Sequence, residues 1–289
     1  MPSAQLLLQS LVSGLLMGGI YSLVAVGLSL IFGLMNIVNF AHGDFLMLAM
    51  YATFWANVLL GWDPLVTLPF VLVVWFLAGM GTYRLVVRRI LGAPMVSQMF
   101  STFGLGLFLR YGAYFFWKAD VRKVNDNLLS TTLDVGNIYM TKAELVAFLV
   151  SIGATSLLFL FIKRSRLGKA IQATSQNKEA AVEMGIYTDR VNAVGWGIGI
   201  MGVGLAGVLL ATFFPIHIYS GWTFSMISYI SVALGGFGSF WGVYLGGLLI
   251  GVIENVLGTI FAPALKMVFV YATFVLVLVY RPKGLFGKF

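Results

Sequence analysis

The chain of 289 residues contains no cysteine and only two histidines, and one residue in ten is charged. Without cysteine it can form no disulfide, no thiolate metal site and no cysteine nucleophile. So few charged side chains, beside 60% hydrophobic residues, exclude an ordinary water-soluble domain. The apolar residues form continuous runs rather than the alternation of a membrane β-barrel. The composition therefore predicts an all-α, polytopic helical membrane protein.

The apolar runs divide the chain into nine candidate membrane spans, some of them short or interrupted by glycine. We expect eight or nine transmembrane helices in a single integral-membrane domain, residues 1–289, because no linker or soluble segment interrupts the pattern. The first run has no basic leader and is predicted to be a span rather than a signal peptide. The spans are Leu6–Gly33, Phe45–Leu60, Pro64–Tyr83, Ser97–Trp117, Lys142–Ile162, Val191–Phe213, Gly221–Leu234, Gly242–Gly258 and Lys266–Tyr280.

Three basic clusters fall on one side of the membrane when these spans alternate in direction. They are the cluster from Arg84 to Arg89, the segment Lys163–Arg190 and the tail from Arg281, and they hold twelve of the eighteen Lys and Arg residues. Basic loops are retained in the cytoplasm, so we expect this side and the C-terminus to be cytoplasmic. The net charge of +8 has the same explanation, and nucleic-acid binding is not expected.

Polar residues interrupt the apolar sequence between the first two spans. They are Asn36, Asn39, His42, Gly43 and Asp44. A single Asp at the centre of a membrane helix costs about 2.5–3.5 kcal/mol on insertion scales. The segment is therefore either a turn, with Asp44 as the N-cap of a helix from Phe45, or a broken-helix element that borders a solute path. The sequence leaves both interpretations open.

A second interruption, Leu234–Gly242, has four glycines in nine positions and predicts a break between two helical pieces. Glycine-interrupted segments point to the translocation path in transporters, which makes Gly235 and Gly236 candidate path residues. Glu254 lies beyond them in an otherwise uncharged run and is a further candidate, because ionisable residues inside a membrane are usually functional. By charge alone, we expect Arg110 to be its ion-pair partner.

Glycines also recur at intervals of four residues, as in the pairs Gly14 and Gly18, and Gly247 and Gly251. Small residues let two membrane helices approach closely, which favours their association in lipid. The spacing predicts helix packing within the chain, or against a second similar subunit.

The polar segment Lys163–Arg190 lies between two uncharged apolar runs and contains a short predicted helix. Asn177 is suited to its N-cap, Glu179 to its first turn and Gly185 to its end. Three residues are expected to form a small contact patch, Ala180, Ala181 and Met184. We interpret residues 163–190 as a cytoplasmic loop that inserts this patch into the groove of a partner protein.

These motifs resemble those of a known family. Glu179-Ala180-Ala181-x-x-x-Gly185 resembles the EAA-x-x-x-G coupling motif of ABC-importer permeases. The stretch GLSLIFGLMNIVNFAHGDFLMLAMY, residues 27–51, is more specific and resembles the branched-chain amino acid ABC permeases. The block LGGFGSFWGVYLGGLLIGVIE, residues 234–254, and the C-terminal R-P-x-G-L-F-G are similar to the same family. The chain looks like the smaller member of the LIV-type permease pair.

This resemblance implies the permease subunit of an ATP-driven importer in a bacterial inner membrane, working by alternating access. It implies a second related permease in a heterodimer, two cytoplasmic ATPase subunits and an extracytoplasmic substrate-binding protein, all in or at membrane lipid. ATP and Mg would be bound by the ATPases, and no cofactor by this chain. Residues that would contact an ATPase are Glu179, Ala180, Ala181, Met184 and Gly185. Residues that would border the path are Asn36, Asn39, His42, Gly43 and Asp44.

Several alternatives remain open at this stage. Members of the family carry branched-chain or hydrophobic amino acids, urea and short amides, or aromatic acids, and a ribose-type sugar permease is the nearest alternative within the ABC class. An ion-coupled secondary transporter or channel, with Asp44, Glu254 and Arg110 forming its ion site, is the main alternative outside it. An intramembrane enzyme would need a Ser/His, paired-Asp or HExxH arrangement, which the sequence lacks, so no enzyme activity is expected.

Overall fold

The computed structural model describes residues 3–124, 128–236 and 238–286, and within these ranges the chain forms twelve α-helices and one β-hairpin. The helices are α1 (Ala4–Met35), α2 (His42–Leu60), α3 (Pro64–Thr82), α4 (Arg88–Ile90), α5 (Met95–Trp117), α6 (Lys142–Arg164), α7 (Arg166–Gln176), α8 (Lys178–Glu183), α9 (Thr188–Ala211), α10 (Ser220–Gly235), α11 (Phe240–Ile260) and α12 (Lys266–Tyr280). A π-helical turn, Tyr83–Val87, joins α3 to α4, and a 3-10 turn, Pro263–Leu265, precedes α12. The hairpin strands are β1 (Thr132–Val135) and β2 (Ile138–Thr141), which pair antiparallel.

Every predicted span corresponds to a helix, and the prediction of an all-α polytopic membrane protein is confirmed. Seven helical segments among the described residues are long and apolar enough to cross a membrane, namely Ala4–Met35, His42–Leu60, Pro64–Ile90, Lys142–Arg164, Thr188–Ala211, Phe240–Ile260 and Pro263–Tyr280. The other two predicted spans are α5, which is long but carries Gln98 and Arg110, and α10, which has only 16 residues. A full span takes about 20 residues, so α10 is a partial one.

Helix α1 lies at the centre of the bundle and packs antiparallel against α11. A Cβ atom added to Gly14 would lie 2.7 Å from the carbonyl oxygen of Gly251, and one added to Gly18 would lie 2.9 Å from the Cα of Leu248. Ser22 Oγ lies 2.6 Å from the carbonyl oxygen of Tyr244 in the same contact. There is no room for a methyl group between these two backbones. The predicted role of the repeated glycines in packing within the chain is therefore confirmed.

The loops form two faces on opposite ends of the bundle. The hairpin face holds β1, β2 and the start of α1, where Gln9 Nε2 donates a 2.7 Å hydrogen bond to the carbonyl of Tyr139. The basic face holds α4, α7, α8 and the tail after α12, where the Leu285 N–H donates to the carbonyl of Leu234 over 2.7 Å. The described residues of all three predicted basic clusters lie on the basic face. The start of α1 and the described tail after α12 therefore lie at opposite faces.

Candidate translocation site and coupling surface

The chain between α1 and α2 folds back into the bundle. Asn36 is exposed and ends α1 in the left-handed conformation, at φ +54°. Helix α2 begins at His42, whose Nε2 lies 3.0 Å from the carbonyl oxygen of Val24 in α1. Because Val24 precedes the end of α1 by eleven residues, α2 begins about 17 Å inside the bundle at 1.5 Å per residue. The predicted polar interruption is thus a broken-helix element that reaches from the basic face into the interior.

Asn39 and His42 are fully buried in this break. Asn39 Oδ1 accepts a 3.1 Å hydrogen bond from the N–H of Ala41, as expected for a residue that closes a turn, and the Asn39 carbonyl accepts one of 2.6 Å from the Tyr229 hydroxyl. Asn39 Nδ2 and His42 Nδ1, however, have no hydrogen-bond partner among the described residues. Buried polar atoms without partners cost free energy, so each needs an explanation, such as a polar group that enters the site.

The first turn of α10 meets the first turn of α2 at this break. A Cβ atom on Gly43 would collide with the carbonyl oxygen of Gly221, and one on Gly221 would collide with that of Gly43. The Gly43 N–H donates a 2.8 Å hydrogen bond to Ser225 Oγ. The chain before α10 comes from the hairpin face, where Ile216 pairs with Arg122. Helices α2 and α10 therefore both start in the interior and run to opposite faces, which brings the positive ends of both helix dipoles together.

Asp44 in the first turn of α2 forms an ion pair with Arg110 of α5. Arg110 Nε lies 2.9 Å from Asp44 Oδ1, and its terminal nitrogen lies 3.1 Å from Oδ2. The Asp44 side chain is 1% exposed and that of Arg110 is 12% exposed. The guanidinium also lies 5.3 Å from the ring centre of Trp222. The predicted N-cap role of Asp44 was wrong, because α2 begins at His42, three residues before the predicted start at Phe45, with Ala41 at the cap position.

The expected pairing of Arg110 with Glu254 was also wrong. Glu254 is 8% exposed and accepts a 2.7 Å hydrogen bond from the Tyr21 hydroxyl, within the contact of α1 and α11. Charge alone did not distinguish the two acids. Asp44 lies beside Arg110 of α5, whereas Glu254 lies in the contact of α1 and α11.

Gly235 and Gly236 lie at the other end of α10, on the basic face. Gly235 is the last residue of α10 and packs on the backbone of Gly242 and Val243. Gly236 turns the chain at φ +89°, and Gly284 of the tail packs on it. The predicted break between two helical pieces is confirmed, and both glycines are buried within it.

Aromatic side chains cover the outer side of the ion pair. The Phe40 ring lies 5.5 Å from that of Tyr229 and 6.4 Å from that of Phe103 in α5. Phe103 and Trp222 are each about two-fifths exposed. The charged pair thus lies just beneath an apolar surface formed by α5 and α10.

Helix α8 projects from the basic face with the predicted ends. Asn177 Oδ1 accepts a 3.0 Å hydrogen bond from the N–H of Ala180, and Gly185 ends the turn at φ +79°. The predicted contact patch needs correction, because the Ala181 side chain is 4% exposed and faces its own chain. Ala180 and Met184 are exposed, and two apolar residues that the sequence interpretation missed, Val182 and Tyr187, are exposed beside them. We call Ala180, Val182, Met184 and Tyr187 the coupling patch.

Asp189, in the first turn of α9, connects α9 to the π-helical turn and α4. It accepts a 3.1 Å hydrogen bond from the hydroxyl of Tyr83 and forms a 3.1 Å ion pair with Arg88. The ion pair is about half exposed and contributes little stability, whereas the Tyr83 ring is fully buried and fixes the position of its hydroxyl. Single π-helical turns occur frequently at functional positions.

Residues 10–278 match the family described as branched-chain amino acid transport system / permease component. The chain belongs to this family. Its relatives include the high-affinity branched-chain amino acid transport system permease protein BraD of Pseudomonas aeruginosa, with 31% identity over 100% of this chain and 98% of the relative. Protein LivH of Escherichia coli, which carries the same description, is 30% identical over 97% of this chain and 96% of its own. A probable LivH of Methanocaldococcus jannaschii is 27% identical over 88% and 84%. No solved structure matches.

The resemblance seen in the sequence is therefore confirmed. The sequence interpretation found only part of the polar cluster that the permease forms around the first turn of α2. The structure brings Asn39, His42, Gly43 and Asp44 together with Arg110, which the sequence interpretation had paired with Glu254. It also adds residues of α10 that the sequence interpretation did not select, namely Gly221, Trp222, Ser225 and Tyr229. A signal was available, because α10 carries hydroxyl residues at intervals of three to five, at Ser220, Ser225, Ser228 and Ser231. Asn36, Gly235, Gly236 and Glu254 lie outside this cluster.

Proposed function

We propose that this permease is the membrane-spanning subunit of an ATP-driven importer of branched-chain or other hydrophobic amino acids, located in a bacterial inner membrane. The observation that carries the proposal is similarity over the full length to permeases named for that transport. The basic face is cytoplasmic in this proposal, because loops rich in Lys and Arg are retained there. The hairpin face then receives an extracytoplasmic substrate-binding protein.

The polar cluster suits a hydrophobic amino acid. Such a solute carries a carboxylate, an ammonium group and an apolar side chain. Arg110 and the opposed starts of α2 and α10 favour a carboxylate, and Asp44 favours an ammonium group. Trp222 and its aromatic neighbours provide apolar surface next to both charges. Transient exchange of the Asp44–Arg110 pair for the two ends of the solute would let it pass without leaving a charge unpaired.

A second, related permease covers the outer surface of α5 and α10 in this proposal. Arg110 is partly exposed within an apolar stretch, and a charge that faced hydrocarbon there would be costly. A heterodimer removes this cost and places the path between the two subunits, with Asn39, His42, Gly43 and Asp44 at its side. The exposed aromatic residues around the ion pair are of the kind enriched at protein interfaces.

ATPase subunits bind the coupling patch, with ATP and Mg²⁺ held by the ATPases. Met184 and Tyr187 offer exposed apolar surface on a face that is otherwise polar and charged, and an apolar patch of this kind marks a protein contact. Ala181 positions α8 on its own chain rather than touching the ATPase. Movement of α8 reaches α9 and the π-helical turn through Asp189, and α9 packs against α2. Alternating access then follows from a shift of the broken helix between two states.

Transport by the reconstituted complex tests this function. The chain, a second permease and the ATPases are placed in proteoliposomes with ATP inside the ATPase-accessible compartment, and uptake of labelled leucine, isoleucine, valine, urea and ribose is compared in the presence of the binding protein. Leucine, isoleucine or valine should accumulate only with hydrolysable ATP. Accumulation of urea or ribose instead would reject the substrate class. Uptake by this chain alone, driven by an ion gradient, would reject the ATP-driven class.

The absence of native cysteine permits a direct test of orientation. Met184→Cys on the coupling patch and Asn137→Cys at the tip of the hairpin each provide a single thiol at an exposed position. In intact cells a membrane-impermeant maleimide should label Asn137→Cys from the periplasmic side and spare Met184→Cys until the inner membrane is permeabilised. The reverse pattern would place the basic face outside.

A further inference from the structure

A crevice of about 680 Å³ lies at the basic face between the ends of α6 and α11, and α1 forms its floor. Its walls are apolar, with Leu30 and Ile162 buried at the base and Phe240 and Trp241 along α11. Its rim is polar, with Lys163 at the end of α6 and Gln172 and Ser175 on α7. The crevice shares no residue with the polar cluster or the coupling patch.

The floor of the crevice contains a polar atom without a partner. Ser29 Oγ is buried and has no hydrogen-bond partner among the residues that the structure describes. Most buried hydroxyl groups are satisfied, and an unsatisfied one beside a cavity points to a group that enters the cavity. The occupant therefore has to fill an apolar crevice and reach a polar floor.

The crevice lies where the apolar surface of the bundle gives way to basic residues. Leu157 and Leu160 are exposed on the last turns of α6, and Trp241 is 40% exposed at the start of α11, as is typical of tryptophan at a membrane interface. Beyond Lys163 the chain carries the exposed basic residues Arg164, Arg166 and Lys169. The Lys163 ammonium lies 5.6 Å from the ring centre of Phe159, which lines the crevice.

We propose that this crevice binds an anionic phospholipid from the leaflet at the basic face. Its phosphate lies beside Lys163, an ester carbonyl accepts a hydrogen bond from Ser29 Oγ, and an acyl chain lies along Leu30 and Phe240. Basic pockets between membrane helices at this depth attract anionic head groups, and the apolar walls match a hydrocarbon chain. A small soluble anion would leave the apolar walls of the crevice exposed to water. The bound lipid contacts α1, α6 and α7 together and thereby holds α7, whose last residue Gln176 is separated from α8 only by Asn177.

Photolabelling of the purified full-length chain tests the site. The protein is reconstituted in phosphatidylcholine vesicles that contain a trace of phosphatidylglycerol with a photoactivatable acyl chain, and labelled peptides are mapped. Label is expected on the peptides that contain Leu30 and Trp241. Lys163→Gln should lower it by about fivefold, the effect of one basic residue near an anionic surface. Lys142→Gln, at the other end of the same helix, is the matched control and should leave it unchanged.

A second variant separates the apolar walls from the charge. A Cβ atom on Gly33 would lie 3.7 Å from the Cα of Gly238, an ordinary contact, so Gly33→Leu can fill the crevice while Lys163 is retained. It should abolish the label, with monodisperse elution as the check on folding. Label that survives both variants, or an equal label from a phosphatidylcholine probe, would overturn the proposal. Displacement of the label by free leucine would also overturn it, since the crevice would then be a site for a soluble carboxylate.

Discussion

Asp44 Oδ1 lies 2.9 Å from Nε of Arg110, and this ion pair ties α5 to the first turn of the broken helix α2. Asp44 is the more deeply buried partner, so its charge depends on Arg110 for compensation. The pair also stands between the start of α2 and the apolar surface of α5 and α10. Substitutions at these two positions can therefore test separately whether the pair stabilises the fold and whether transport requires it.

Loss of one partner should destabilise the protein more than loss of both. Arg110→Gln leaves a buried carboxylate without a cation, and such changes cost roughly 3–5 kcal/mol. The double variant Asp44→Asn with Arg110→Gln keeps two neutral hydrogen-bonding groups and should recover most of that loss in denaturant unfolding in detergent. If the double variant is as unstable as Arg110→Gln alone, the two side chains are not coupled. Uptake by the stable double variant should fall sharply, and unchanged uptake would make the pair purely structural.

The contact between Gly43 and Gly221 should tolerate no side chain. A Cβ on Gly43 collides with backbone atoms of Gly221, so Gly43→Ala must push α2 away from α10 at a cost of about 1–3 kcal/mol or more. Gly153→Ala is the matched control, because a Cβ at that position in α6 has no neighbour within 4 Å among the described residues. Thermal unfolding should show a lower midpoint for Gly43→Ala only. Equal midpoints would mean that α2 and α10 do not touch here.

Met184 should affect coupling without affecting folding. Its side chain is 83% exposed, so Met184→Asp should change stability by no more than about 0.5 kcal/mol, while it disrupts the proposed apolar contact with the ATPase. Met184→Leu keeps the apolar character and is the control. Co-purification of the ATPase and solute-stimulated ATP hydrolysis provide the measurement. Normal hydrolysis by Met184→Asp would remove the coupling patch from the mechanism.

Ala181 should behave in the opposite way. Ala181→Asp places a carboxylate at a position that is only 4% exposed, so we expect poor folding before any loss of coupling. Protein yield and unfolding, compared with Ala180→Asp at the exposed neighbour, distinguish the two effects. Equal stability of the two variants would show that Ala181 is accessible after all.

Glu254 should act as a hydrogen-bond acceptor rather than as a charge. Glu254→Gln retains an acceptor for the Tyr21 hydroxyl and should keep both stability and transport. Glu254→Leu leaves that hydroxyl buried and unpaired, which costs about 1–3 kcal/mol, and adding Tyr21→Phe should restore most of it. Unfolding and uptake are measured on the same preparations. A stable Glu254→Gln protein that no longer transports would show that the charge itself is used.

The sequence was sufficient for the features that depend on local composition. Each span predicted from an apolar run corresponds to a helix of the structure. The spacing of Gly14, Gly18, Gly247 and Gly251 indicated the close helix packing that is observed. The capping residues Asn177 and Gly185 set the ends of α8, because both act within one turn of the chain. These signals are short-range and need no knowledge of the fold.

Features that depend on tertiary placement could not be predicted in this way. Arg110 had two acidic candidates, and the choice depends on how deeply α2 enters the bundle. A helix as short as α8 has too few turns for periodicity to orient Ala181. The sequence interpretation also did not include the hairpin, although its two turn residues, Gly136 and Asn137, both at positive φ, are a recognisable local signal between two predicted spans.

The contact between α1 and α11 affects the order in which the bundle can assemble in the membrane. Gly14 and Gly251 touch in the folded bundle but are separated by 237 residues, so α1 is synthesised long before α11. Until α11 is inserted, the glycine-lined side of α1 has only lipid against it, and lipid tails cannot match the close backbone contact that α11 provides. Insertion of α11 is therefore the step that completes the packing of this side of α1.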